Sequence, residues 1–152
     1  MIYPCLTLYQ PWATWIIRGW KTIETRIHNR FQCLKGKHIL IHAGKKTDAA
    51  AINNPYLTKE QLLHNPDEMI NGYIIGGAFV YDFKALNDTH SKDALIECES
   101  AQRFGLFLNQ IWKLSEPIEI NGELGIWYFD YGNMKKVKKN VPEKYQQLIF
   151  DL

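Results

Sequence analysis

A chain of 152 residues fits a single domain, and 46% hydrophobic with 22% charged residues is the balance of a packed globular core, which excludes disorder as its main state. A formal net charge of +2 is too small for a protein that coats nucleic acid or adsorbs to membranes, so any polyanion site has to be local. Cys5, Cys33 and Cys98 are odd in number and far apart, with no C-x-x-C pair, which removes a disulfide framework and an obvious zinc site and fits a reducing compartment.

The opening MIYPCLTLYQPW has no basic leader before an apolar core, and no stretch approaches the roughly 20 apolar residues of a membrane span. A cytoplasmic protein with no membrane association is expected. Residues 3–9 predict a short buried strand that ends at Gln10-Pro11. From 11 to 18, Trp12, Trp15, Ile16 and Ile17 recur at helical spacing, and Gly19 falls where a C-terminal cap belongs. Such a helix has only about two turns, so packing must hold it in place. In residues 21–26 only Ile23 is apolar, so a strand there belongs at a sheet edge or beside a cleft.

Residues 38–42 read as a core strand ending at Gly44, followed by short helices over 47–52 and 59–63 that Asn53-Asn54-Pro55 separates, with Thr58 capping the second. Residues 72–83 give the longest strand, in which Gly76-Gly77 marks a bulge or a close backbone approach. The polar stretch 84–102 is the main insertion, with a helix expected over 92–99. Strands return at 105–114, 118–120 and 125–129, punctuated by Pro117 and Asn121-Gly122. A basic extension begins at about Met134, and a helix is expected over 142–149. The pattern is α+β in one domain spanning 1–152, and short, closely spaced strands suggest a small β-barrel flanked by short helices.

The functional question centres on GWKTIETR, residues 19–26, where Lys21, Glu24 and Arg26 crowd a helix-to-strand corner. In an extended chain Thr22, Glu24 and Arg26 share one face, while Lys21 lies where the chain still turns and can swing to either side. Two cations around one carboxylate can hold a phosphate or the polar edge of a base. An exposed ion pair contributing about 0 to 1 kcal/mol is the plainer alternative for the same residues.

This stretch, with LTLYQPW before it and HILIHAGK after it, resembles the ASCH domain, a small β-barrel family related to the RNA-binding PUA domains. The family hallmark G-x-K-x-x-E-x-R is matched by Gly19, Lys21, Glu24 and Arg26. Further blocks, IIGGAFVYDF and EPIEINGELGIWYF, resemble its later strands, so the resemblance spans roughly residues 3–130. It implies a cleft lined by the hallmark residues and suited to RNA or a nucleoside. The family includes binding modules, ribonuclease-like enzymes and amidohydrolases of acylated cytidine. The amidohydrolases share Gly19, Lys21 and Arg26 but carry threonine where this chain has Glu24.

Several side chains then become candidates. Lys21 and Glu24 are the catalytic pair if the protein is a hydrolase, with Lys21 needing a depressed pKa that Arg26 and burial favour and Glu24 opposes. Trp12 and Trp20 are candidates for stacking on a base, although Trp12 also fits a core position beside Trp15. Thr22, His42 and Lys45 complete the expected nucleic-acid-binding set with Gly19 and Arg26; His42 equally fits a satisfied core histidine. The five histidines show no ligand spacing, so neither a metal nor another cofactor is expected. Three readings follow: a domain binding RNA or a modified nucleoside, a hydrolase of the same fold, and a protein-interaction module.

Overall fold

The computed structural model describes residues 1–64, 69–100 and 102–138. Among the described residues seven strands form one mixed sheet: β1 (Ile2–Gln10), β2 (Ile23–Arg26), β3 (Lys37–Thr47), β4 (Tyr73–Ala85), β5 (Phe104–Glu119), β6 (Ile126–Asp130) and β7 (Lys135–Val137). Three short helices accompany them: α1 (Trp12–Ile17), α2 (Lys59–Leu63) and α3 (Ser91–Ala94). The strand order is β2-β5-β4-β3-β1-β6-β7, with β1 and β3 parallel and the other pairs antiparallel. The α+β class holds, but the ladder ends at β2 and β7 and does not close, so the expected barrel is an open, curled sheet. Among the described residues no helix is long and apolar enough to cross a membrane.

Period-two alternation builds the core. Leu6 and Leu8 of β1 and Ile39, Ile41 and Ala43 of β3 face an apolar centre with Ile16 of α1, Val80 of β4 and Leu106 of β5. The intervening Cys5 and Leu40 join Trp127 and Phe129 of β6 in a second cluster on the other face. Tight packing explains the Gly76-Gly77 pair. A β-carbon on Gly76 would lie 2.2 Å from the Trp112 carbonyl oxygen, and one on Gly77 would lie 2.5 Å from the Trp112 ring. The β4–β5 register shifts on both sides of the pair, which is the expected bulge.

Three elements differ from expectation. Strands expected separately at 105–114 and 118–120 are one continuous β5, because Pro117 sits in a stretch that bulges out between the Gly76–Lys113 and Ile74–Ile118 pairs and needs no ladder donor there. The helix expected over 92–99 stops at Ala94, where Leu95 turns left-handed at φ 54° and its carbonyl accepts from Asn54 Nδ2 at 2.7 Å. The helix expected over 47–52 is instead the end of β3 followed by a 3-10 stretch, Ala49–Asn53. α2 forms at Lys59–Leu63 with the Thr58 cap, as the sequence indicates. Within the basic extension, Lys135–Val137 pairs with β6; Lys139 and the helix expected over 142–149 lie outside the described residues.

Candidate functional site

Three strands separate β1 from β2 in the ladder, yet Thr7, Leu8 and Tyr9 of β1 and Glu24, Thr25 and Arg26 of β2 line one cavity of about 410 Å³. The sheet therefore curls until its unclosed seam becomes a cleft. Helix α1 sets one end of that cleft. Its start is fixed by the buried Gln10, whose Oε1 accepts from Thr14 N at 3.0 Å and whose Nε2 donates to the Ile70 carbonyl at 2.8 Å. Its end is fixed by Gly19 at φ +77°, after which Trp20 N and Lys21 N both donate to the Trp15 carbonyl. The reversed chain delivers Lys21 to the cleft floor and enters β2, which pairs only with β5.

Lys21 is 1% exposed, among the most buried side chains described. Its Nζ donates to the Ala94 carbonyl, lies 3.8 Å from Glu24 Oε1 and sits 5.0 Å from the centre of the Trp12 ring. Burial is the main influence on this amine and pulls its pKa down to about 8, with Arg26 acting the same way and Glu24 opposing. Glu24 binds the corner together: Oε1 accepts from Thr25 N at 2.9 Å and Oε2 lies 3.8 Å from Arg26 Nη2. The Arg26 guanidinium rests 4.9 Å from the Phe31 ring centre, and its buried Nε has no hydrogen-bond partner among the described residues. Trp12 is half-buried, donates from Nε1 to Asp48 Oδ2 at 3.2 Å and packs edge-on against Trp15. Asp48 lines the same cavity.

A second compartment, of about 360 Å³, opens beside the first and shares Thr7, Tyr9, Arg26 and Leu124 with it. Lys45 and Lys46 of β3 stand exposed along this compartment, and the 120–125 loop forms its opposite wall. His42 lies at its base. Nε2 donates to the Ile120 carbonyl at 2.7 Å, since a carbonyl can only accept, and this leaves Nδ1 as an acceptor without a partner among the described residues. Gly122 covers that nitrogen so closely that a β-carbon there would lie 2.6 Å from it and 2.3 Å from Thr7 Oγ1. The ring also meets Trp127 edge-on at 5.5 Å, and burial lowers its pKa from 6.5, which keeps it neutral at pH 7.

The structure thus gathers Trp12, Lys21, Glu24 and Arg26 in one compartment and puts Lys45 in its neighbour, with His42 as the anchor of the loop between β5 and β6. Three expected site residues stand outside both cavities. Gly19 is an exposed turn residue, Trp20 packs under the Arg18 guanidinium at 4.8 Å, and Thr22 exchanges backbone hydrogen bonds with Asp93 and Leu108. Trp127 donates from Nε1 to Thr7 Oγ1 and is a core residue. Sequence reasoning missed Tyr9, Asp48 and Leu124. Tyr9 follows from alternation, since Leu6 and Leu8 face the core and Thr7 and Tyr9 must face away. A larger cavity of about 470 Å³ lies elsewhere, lined by Ile17, Ile70, Ile75 and Pro117 with Arg18 and Lys113. Its described lining is mostly apolar and includes no carboxylate, whereas the seam brings Lys21, Glu24 and Arg26 together. Among the described residues no three His, Cys, Asp or Glu side chains converge as metal ligands.

The ASCH domain model matches residues 6–122, a stretch that contains both compartments up to Gly122. This chain belongs to the ASCH family. Its fold is that of the crystal structure of ASCH from Zymomonas mobilis, with a TM-score of 0.55 at 14% identity, covering 97% of this chain and 93% of that one. Two mutant forms of the same Z. mobilis protein give TM-scores of 0.54 and 0.53 at 15% identity, each over 97% of this chain and over 94% and 96% of theirs. Identity this low establishes a common fold and leaves chemistry to the residues. No curated protein matches this ASCH domain.

Proposed function

We propose that this ASCH domain binds RNA or a modified nucleoside at the seam, with one nucleotide unit seated in the compartment that Lys21 floors. The observation that carries this reading is Lys21 itself: a cation 1% exposed, yet lining a cavity of about 410 Å³ beside an aromatic wall. Burying an ammonium group costs stability that its carbonyl and carboxylate partners offset only in part. A ligand carrying a phosphate or a base carbonyl gives that cation its remaining partner. Arg26 supplies a second donor at the rim, Glu24 accepts from a base amino group, and Trp12 forms the flat wall against which an unpaired base packs.

A second reading, hydrolysis of an acylated nucleoside amide or an RNA phosphodiester, draws on the lowered pKa. An amine at about 8 is partly neutral near pH 7 to 8 and is competent as a general base or nucleophile, with Glu24 at 3.8 Å to relay a proton. Both readings are tested by incubating the purified protein with short single-stranded RNAs and with plain and acylated nucleosides, following binding and product together. The expected result is saturable binding that Lys21→Met weakens at least tenfold; a panel that shows no binding at millimolar concentration would sink the proposal. Product formed by the wild type and not by Lys21→Met would make the site an enzyme.

A further inference from the structure

We infer that the seam takes two linked nucleotides of a single strand, one in each compartment with the phosphate between them at Arg26, and not one free nucleoside; this rests on the nucleotide reading of the first compartment. The two cavities are of similar size, about 410 and 360 Å³, and each reaches the scale of a small-ligand site on its own. They share Thr7, Tyr9, Arg26 and Leu124 in their linings, so they lie side by side along one seam, a spacing that two linked units of one ligand can span.

The residues at the junction suit a nucleotide linkage. Arg26 borders both cavities with its side chain 26% exposed and its Nη2 no nearer than 3.8 Å to Glu24 Oε2, so the guanidinium edge has donors to offer a phosphate oxygen there. Tyr9 also borders both and is 51% exposed, far more than a core tyrosine, with Lys46 Nζ 5.9 Å from its ring centre. Aromatic faces and cations are interspersed along the seam: Trp12, Lys21, Arg26 and Tyr9 line the first compartment, and Lys46 and Lys45 line the second. That interleaving is how single strands are held without reading their sequence, by stacking and backbone charge together. The carboxylates on the same path are engaged: Glu24 with Lys21 and Arg26, Asp48 with Trp12, and Glu123 with Lys136 at 3.9 Å. Leu124, 96% exposed at the tip of the 120–125 loop, overhangs the junction and offers an apolar contact to a base.

The test compares, for each of the four bases, the nucleoside, its 3′-monophosphate and the matching ribodinucleotide, titrated against the wild type and against a Lys45→Ala/Lys46→Ala double variant. These lysines are exposed, so the variant keeps its fold, which a melting curve verifies. The expected result is a dinucleotide bound at least tenfold more tightly than its nucleoside, with that gain lost in the double variant and reduced in Tyr9→Leu. Equal affinity for nucleoside and dinucleotide, a monophosphate that already matches the dinucleotide, or a gain that survives the double substitution would each overturn the inference. In these cases nucleoside binding dependent on Lys21 leaves the proposed function standing. Absence of binding by every probe overturns both.

Discussion

At the scale of single residues, Lys21 is where structure and function pull in opposite directions. Its ordinary pKa of 10.5 is held in the unfolded chain, whereas burial brings it to about 8 in the folded protein. Between those two values the unfolded chain keeps a proton that the folded chain has released, so stability rises as pH climbs from about 8 to 10.5. The full gap corresponds to about 3 kcal/mol. Lys21→Met keeps the length of the side chain and removes the titration, so its urea midpoint is expected to lose this rise. At pH 7 the variant is expected to be as stable as the wild type within about 1 kcal/mol, since the loss of a partner for the Ala94 carbonyl offsets the removal of a desolvated cation. A wild-type-like climb with pH in Lys21→Met would contradict this account. The sequence spacing brought Lys21, Glu24 and Arg26 into question, but not their depth: Lys21 is sealed by Ala94 and Trp12, which come from α3 and α1.

At the scale of elements, the seam depends on how sharply β4 and β5 curl. Register shifts beside Gly76 and Gly77 let the two strands bend, and Trp112 lies across the bare backbone they leave. Gly76→Ala is expected to destabilise the fold by about 3 kcal/mol or more, because the new β-carbon meets backbone 2.2 Å away, which cannot swing aside. Gly19→Ala is expected to cost only about 1 kcal/mol, for the left-handed φ of +77° alone, since no atom lies within 4 Å of its β-carbon position. Equilibrium denaturation of the two variants side by side checks the ranking. The glycine pair and the Thr58 cap are local signals and stand in the sequence. The early stop of α3 is not, because Leu95 is held by a hydrogen bond from Asn54, 41 residues away in the chain.

At the scale of the whole molecule, the modest net charge of +2 hides a local cluster, in which Lys21, Arg26, Lys45 and Lys46 converge on one seam. Binding of a short single strand is therefore expected to weaken with salt, with a slope of log K against log salt of about −1.4 to −2, the value for two or three neutralised phosphates. Titrations at several salt concentrations check it, and a slope near zero would place the ligand's phosphates away from the seam. The family and its hallmark residues could be read from the chain because GWKTIETR, QPW and HAGK are short and contiguous, and so were most strands, whose alternation is a local property. Blocks of that kind cannot reveal how far the sheet closes. The sequence alone determined the family, its hallmark residues Gly19, Lys21, Glu24 and Arg26, and their place at a helix-to-strand corner. Only the tertiary structure decided that the sheet stays open, with edges at β2 and β7, that Trp20 and Thr22 line neither compartment, and that Tyr9 and Arg26 border both. The reason is that sheet curvature is summed over bulges and packing contacts between strands far apart in the chain, and no local pattern records that sum.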